Sequence, residues 1–319
     1  MTPRSQTIKK QSVQRKAALV VLATGPYIEL SRQVFSSASN AGNWQYDRVL
    51  LTDTPDDPSL DDFRRAGIII MKVRPLVDAA VWDSRVNHGR GNLRLAKISL
   101  FSSAFQTWRN IVFLDADIIV RGPISHLAEV TGFWAAPDHN HRLRHQFIDN
   151  GACLESAYAG NSLSFNSGVM AFDTSRNSDA VIDEIRTLAH KYMEYLRWSD
   201  QPILNLFFYQ KWNSLCPAYN YFPNWMAVTP WSNSKNAIIL HFPMEDFPDF
   251  ITGPFAQLWK ANRAAFCETP KPAGRQLAKR FLAQGHWFAR WQILGLAEAY
   301  YPILYSLLKR LKALWTSRR

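Results

Sequence analysis

The segment "NIVFLDADIIV" (110–120) places two carboxylates, Asp115 and Asp117, directly after an apolar run. A buried strand does not accept two acids without a partner, because burying unpaired charge is expensive. At the end of a strand, alternate residues point to the same side, so both carboxylates can reach one cation. Hard oxygen ligands suit Mg²⁺ or Mn²⁺, with substrate phosphates completing the shell. The chemistry of such a site is neutralisation of a departing diphosphate.

Taken alone, Asp-x-Asp also fits a helix N-cap or a solvated turn. It also follows an apolar strand in haloacid-dehalogenase-type phosphatases, but there near the start of the chain and with Thr or Val shortly after. Here it lies past residue 110 and is followed by Ile118 and Ile119. Other residues with chemical potential have similarly plain readings. Lys97 alone is a solvated helix charge, and Asp200 before Gln201-Pro202 is a helix N-cap. Tyr27 after Gly25-Pro26 is a packed corner or a ring for a base to stack on. His139, His141 and His145 resemble a metal cluster but fall in a polar, basic stretch, which reads as acceptor-facing or solvated.

The elements that must position these residues alternate between strand and helix. Apolar runs at 17–23, 48–53, 67–73 and 110–120 read as buried parallel strands. An amphipathic stretch around 28–38 and a second at 92–105 read as helices. A doubly wound α/β sheet follows from that order, with ligands bound beyond the carboxyl ends of its strands. Residues 138–162 are polar and irregular, a long loop expected to lie as a mobile segment over the site. Beyond them come a strand at 163–173, helices at 178–196 and 200–209, and a last strand at 237–243.

The chain of 319 residues carries a formal net charge of +11, and its distribution is uneven. Residues 271–319 hold ten Lys/Arg against Glu298 alone, and residues 1–16 add five positive charges, leaving 17–270 at −3. A nucleic-acid-binding domain would carry its basic face on the folded module, so that class is excluded. Basic tails fit an anionic membrane surface. Ile303, Leu304, Leu307, Leu308, Leu311, Leu314 and Trp315 share one side of a helix, with Lys309, Arg310 and Lys312 outside it. That is the pattern of an interfacial helix, or of a C-terminal helix packed on the domain with its basic side wet. Three separated cysteines form no disulfide framework or metal pairing. With no apolar leader and no long apolar span, a cytosolic protein on the inner membrane face is expected. The divisions expected are a basic tail (1–16), a catalytic domain (17–270) and a basic amphipathic region (271–319).

Beyond single motifs, the sequence from Leu95 to Leu127, "LAKISLFSSAFQTWRNIVFLDADIIVRGPISHL", closely resembles glycosyltransferase family eight, which includes bacterial lipopolysaccharide galactosyltransferases. The match continues in order through "FNSGVMAFD" (165–173), "SDQPILNLFF" (199–208), "YNYFP" (219–223) and "IILHF" (238–242). The resemblance implies a GT-A fold and transfer of a sugar from a UDP-sugar donor with retention at the anomeric carbon. It implies Mn²⁺ (or Mg²⁺) held by Asp115, Asp117 and His241. It places Lys97 and Ala116 in the donor site with the two aspartates, and Thr24 and Tyr27 at the nucleotide base. Asn166, Asp200 and Gln201 are implied beside the reacting carbon. The acceptor implied is a saccharide or glycolipid. One segment departs from the family: after the strand with His241, the family has a Gly and then Lys-Pro-Trp against the diphosphate. Here the run is "HFPMEDFPDF", with Glu245, Asp246 and Asp249 and no Gly or Lys. Lys235 and Lys260 are candidate substitutes, and a fold relative that binds a sugar nucleotide without transfer is the alternative.

Overall fold

A computed structural model describes residues 14–73, 95–223, 234–243 and 253–267. The readings for 1–13, 244–252 and 271–319, the membrane helix included, lie outside them.

The apolar runs form the centre of the fold. A seven-stranded sheet runs in the order β3-β2-β1-β4-β7-β6-β8. Its strands are β1 (Arg15–Leu22), β2 (Asp47–Thr52), β3 (Ile69–Lys72), β4 (Trp108–Leu114), β6 (Phe133–Arg142), β7 (Leu163–Asp173) and β8 (Trp212–Ser214). β1 through β4 pair in parallel, β7 runs antiparallel to both neighbours, and β6 and β8 are parallel. The strands are apolar on both faces because both faces are covered. Leu19 and Val21 of β1, with Val112 and Leu114 of β4, enter one core. Ala18 and Val20, with Ile111 and Phe113, enter the other.

The first core is closed by α1 (Tyr27–Asn40) and α5 (Gly253–Ala264), the second by α3 (Asp179–Tyr192) and α4 (Gln201–Phe207); a short α2 (Asp61–Arg65) precedes β3. α3 starts as its sequence predicts, with the Ser178 side chain accepting from the Val181 N–H at 3.2 Å. A second, two-stranded sheet pairs β5 (Ile118–Val120) with β9 (Ile239–His241), antiparallel. Buried polar groups of α1 tie it down: Gln33 donates to the Ile118 carbonyl, and Ser37 Oγ accepts from the Val120 N–H at 3.1 Å.

Three expectations are corrected. The helix read over 92–105 holds at Leu95 but gives way from Ala96 to two 3₁₀ turns, Ala96–Phe101 and Ser103–Thr107, broken at an extended Ser102; 92–94 lie outside the described residues. The carbonyls that a helix would use are taken from a distance. Asn177 Nδ2 donates to Leu100 O at 2.8 Å, and the Ser178 N–H to Phe101 O at 3.0 Å. The run 110–120 is not one strand, since the chain leaves the main sheet at 115–117 and joins the smaller sheet. The stretch 138–162 is not irregular throughout. Its start continues β6, whose register shifts at Pro137, a bulge that a proline with no N–H to donate favours.

Candidate active site

The strand order places the site. The sheet's connections reverse between β1 and β4, and in such sheets ligands sit beyond the strand ends at that point. Val21 pairs with Leu114, so the turn 24–27 and the segment 115–117 leave the sheet side by side. Gly25 takes a positive φ of 52° there, and the Tyr27 N–H closes the turn on Thr24 O at 3.1 Å. Tyr27 is half-buried against the first core at the start of α1.

Asp115 and Asp117 are held by their backbones. The Asp115 N–H donates to Gly168 O at 2.9 Å, and Asp117 O accepts from the Phe242 N–H at 3.0 Å. Ala116 between them is buried. Because Ile118 pairs with His241, the imidazole is brought against both carboxylates. His241 Nε2 lies 3.2 Å from Asp117 Oδ1 and 3.8 Å from Asp115 Oδ2. One ligand atom from each of the three residues falls within 4.8 Å of the others. Asp117 Oδ1 is buried without a hydrogen-bond partner. Two carboxylates, one of them with an orphaned oxygen, and an imidazole nitrogen are a donor set that fits Mn²⁺ or Mg²⁺.

Lys97, read alone as a solvated charge, is buried at the centre of the cluster. Its Nζ stands 3.0 Å from Asp115 Oδ1 and 3.1 Å from Asp200 Oδ2, and it donates to Ser167 Oγ at 3.3 Å. Burial works against the ammonium, but the attraction of Asp115 and Asp200 outweighs it and leaves the Lys97 pKa raised. Burial raises the Asp115 carboxyl, opposed by Lys97 and reinforced by the Asp117 carboxylate. Asp200 stands in the N-cap position of α4, yet its side chain makes no capping bond. It is turned to Lys97 and accepts from Ser167 Oγ at 2.6 Å. The N-cap reading of Asp200 therefore fails, since the buried cation is a stronger partner than the first-turn N–H groups.

Asn166 and Gln201 meet directly, Asn166 Nδ2 donating to Gln201 Oε1 at 2.8 Å. Gln201 Nε2 in turn donates to Asp138 Oδ2 at 2.9 Å and to Gln146 Oε1 at 2.8 Å. On the other side, Asn220 Nδ2 donates to Asn166 Oδ1 at 2.8 Å, and Asn220 Oδ1 lies 2.7 Å from His241 Nδ1. Asn205 fixes the height of β7 beside α4, pairing with both the N–H and the carbonyl of Phe165 at 2.8 and 2.9 Å. The structure thus joins Lys97, Asp115, Asp117, Asn166, Asp200, Gln201 and His241. It adds Asp138, Gln146, Ser167, Asn205 and Asn220, which sequence reasoning left without roles. One signal for part of this set was present: Asn166-Ser167-Gly168 is a polar interruption of an otherwise apolar strand. Of the three histidines, His139 and His141 fall on β6, and half-buried His145 lies in the next turn, where Nδ1 accepts from the Arg142 N–H at 3.3 Å. Lys260 is exposed on α5, and Lys235 lies in the turn Ser234–Asn236.

The family description "Glycosyl transferase family 8" matches residues 23–245. Glycosyltransferase GlyF of Streptococcus pneumoniae serotype 4 is 29% identical over 113 residues, which are 35% of this chain and 25% of GlyF. Among solved structures, the galactosyltransferase LgtC, in complex with donor and acceptor sugar analogs, is similar with a TM-score of 0.61 at 15% identity. The likeness covers 80% of this chain and 98% of LgtC. The glycosyltransferase GlyE of Streptococcus pneumoniae TIGR4 gives 0.54 at 19% identity, over 88% of this chain and 64% of GlyE. The chain therefore spans less than two thirds of GlyE, and its match a quarter of GlyF. These likenesses carry the fold, a GT-A arrangement with a mostly parallel sheet flanked by helices. Among the described residues, no helix is long and apolar enough to cross a membrane.

Proposed function

The chain belongs to glycosyl transferase family 8, and from that premise we propose that it is a metal-dependent retaining transferase that moves a hexose or N-acetylhexosamine from a UDP-sugar. The observation that carries this reading is the convergence of Asp115, Asp117 and His241, with one ligand atom each inside 4.8 Å, beside a buried Lys97. Asp115, Asp117 and His241 would hold Mn²⁺ or Mg²⁺, whose charge offsets that of the departing diphosphate. Lys97 keeps its own positive charge between Asp115 and Asp200, so the donor pocket does not depend on the ion alone for neutrality. Asn166 and Gln201 orient the sugar, and the Asp200 carboxylate stabilises positive charge on the ring as the bond to the diphosphate breaks. An acceptor hydroxyl then forms the new glycosidic bond, UDP departs and the hydroxyl proton is released. Thr24, Tyr27 and Ala116 complete the donor site in this reading, Tyr27 stacking on the uracil.

The catalytic unit in this reading is 17–270, with 271–319 attaching it to the inner face of the membrane. The acceptor is then a saccharide or a lipid-linked saccharide of the envelope, of the lipopolysaccharide kind, since attachment raises the enzyme's effective concentration there. Calorimetry with UDP, with and without Mn²⁺, tests the donor site, and absence of metal-dependent UDP binding overturns it. A screen of UDP-Glc, UDP-Gal and UDP-GlcNAc, read as released UDP, identifies the donor. The acidic run "HFPMEDFPDF" supports a second reading, a module that binds the nucleotide sugar without transferring it. Metal-dependent UDP binding with no turnover of any donor decides for that reading.

A further inference from the structure

The side-chain amide of Gln201 has both of its protons committed. A backbone N–H can only donate, and the Ser167 N–H lies 3.2 Å from the Gln201 side chain, which makes the atom it meets Oε1. The same oxygen accepts from Asn166 Nδ2 at 2.8 Å. Nε2 is thereby turned away from these groups, and its two protons go to Asp138 Oδ2 at 2.9 Å and Gln146 Oε1 at 2.8 Å. A main-chain group sets this order, so it does not depend on the charge of any residue in the site.

Gln146 is itself held on several sides. With Oε1 facing Gln201, its Nε2 donates to Ser164 Oγ of β7 and to Asp138 Oδ2 of β6, each at 3.0 Å. Its main chain is fixed to the segment that enters α4. Gln146 O accepts from the Arg197 N–H at 3.0 Å, and the adjoining Phe147 and Leu196 form an antiparallel bridge. Gln146 is fully buried and Gln201 is 7% exposed, so water does not compete for the bond between them.

We propose that Gln146 is a positioning residue: it takes the Nε2 proton that Asp138 leaves and so holds the Gln201 oxygen against Asn166 and Ser167. The consequence for sugar transfer rests on the functional reading above; the grip of Gln146 on Gln201 does not. In that reading Gln201 enters the reaction already oriented, and a small displacement of a group beside the reacting carbon is costly.

The test is a ¹⁵N–¹H spectrum of the side-chain amides of the full chain, without metal or donor, with a Gln201→Met variant to assign the signals. Both Gln201 Nε2 protons are expected downfield, where hydrogen-bonded amide protons resonate. Gln146→Met, close to glutamine in length but without the amide oxygen, should move one of the two upfield and leave the other, on Asp138, in place. In turnover of the UDP-sugar found by the donor screen, the same variant should lose kcat by up to roughly 100-fold. KM for the donor should stay near the wild-type value, the mark of a displaced group and not of lost binding. Gln146→Asn, shorter by a methylene, withdraws the amide from Gln201 and should behave in the same way; it decides if Gln146→Met does not fold. Gln201 protons that do not respond to either substitution overturn the proposal, and so does a loss confined to KM. If the wild-type protein turns over no UDP-sugar, the transfer reading falls, while the spectra still decide on Gln146.

Discussion

Gly168 faces His241 so closely that the imidazole fills the space a side chain would need. A Cβ built at Gly168 would overlap His241 Cε1 and stand only 2.9 Å from both His241 Nδ1 and Asn166 Oδ1. Its φ is not in the left-handed region, so the glycine is required by this approach and not by backbone conformation. Gly168→Ala is therefore expected to push the ring off the Asp115/Asp117 pair. The overpacking costs about 1–3 kcal/mol, readable by thermal unfolding, and Mn²⁺ affinity falls in calorimetry. A variant that binds Mn²⁺ like the wild type would show that the ring position does not govern the site.

Lys97 is the counter-charge that makes burial of Asp115 and Asp200 tolerable. Its side chain is 7% exposed and that of Asp200 6%. Lys97→Met leaves the two carboxylates without it, and breaking a buried ion pair costs roughly 3–5 kcal/mol. Mn²⁺ supplies positive charge at the same place, so it should raise the Tm of Lys97→Met by more than it raises that of the wild type. Equal shifts in the two proteins would mean that Lys97 and the cation do not share the task.

Arg32 joins α1, α2 and α5 through carboxylates. It donates to Asp62 at 2.7 and 3.1 Å and to Glu29 at 2.7 Å, and Arg263 of α5 pairs with the same Glu29. Burial raises the Asp62 carboxyl, but hydrogen bonding and charge from Arg32 outweigh it and leave its pKa lowered. A lowered carboxylate pKa contributes stability above the unfolded value, near 3.9, and that contribution is lost as pH falls through the folded value. Asp62→Asn should therefore unfold at lower temperature than the wild type near neutrality, by roughly 1–3 kcal/mol. The difference should close in acid, below about pH 4. A gap that persists unchanged into acid would assign the loss to packing instead.

What was legible in the sequence is what local pattern determines. The strands of the parallel half announce themselves because both faces are buried, and α1 and α3 because their apolar faces recur at helical spacing. The carboxylate pair stood out because acids at the end of such a strand need a partner. What was not legible depends on groups far apart in the chain. The helix read over 92–105 gives way from Ala96 because Asn177 and Ser178 claim its carbonyls, and no window around residue 100 contains them. Asp200 looked like a cap because its buried partner Lys97 is invisible locally. Asn220 and Gln146 gave no local sign, since an isolated amide side chain is unremarkable until its neighbours are known.

The basic C-terminal region supplies the remaining test. Lys309, Arg310 and Lys312 lie off the apolar side of the helix read over 303–315, where an interfacial helix keeps its charges. Each basic residue near an anionic surface contributes on the order of 1 kcal/mol. Reversing all three to Glu in the full chain should abolish sedimentation with phosphatidylserine-rich vesicles, and raising the salt should weaken wild-type sedimentation in the same direction. UDP release from the donor in solution should not change, because the site of Asp115, Asp117 and His241 is built from residues before 245. Undiminished sedimentation of the reversed variant would remove the membrane from the reading and leave a soluble saccharide as the acceptor.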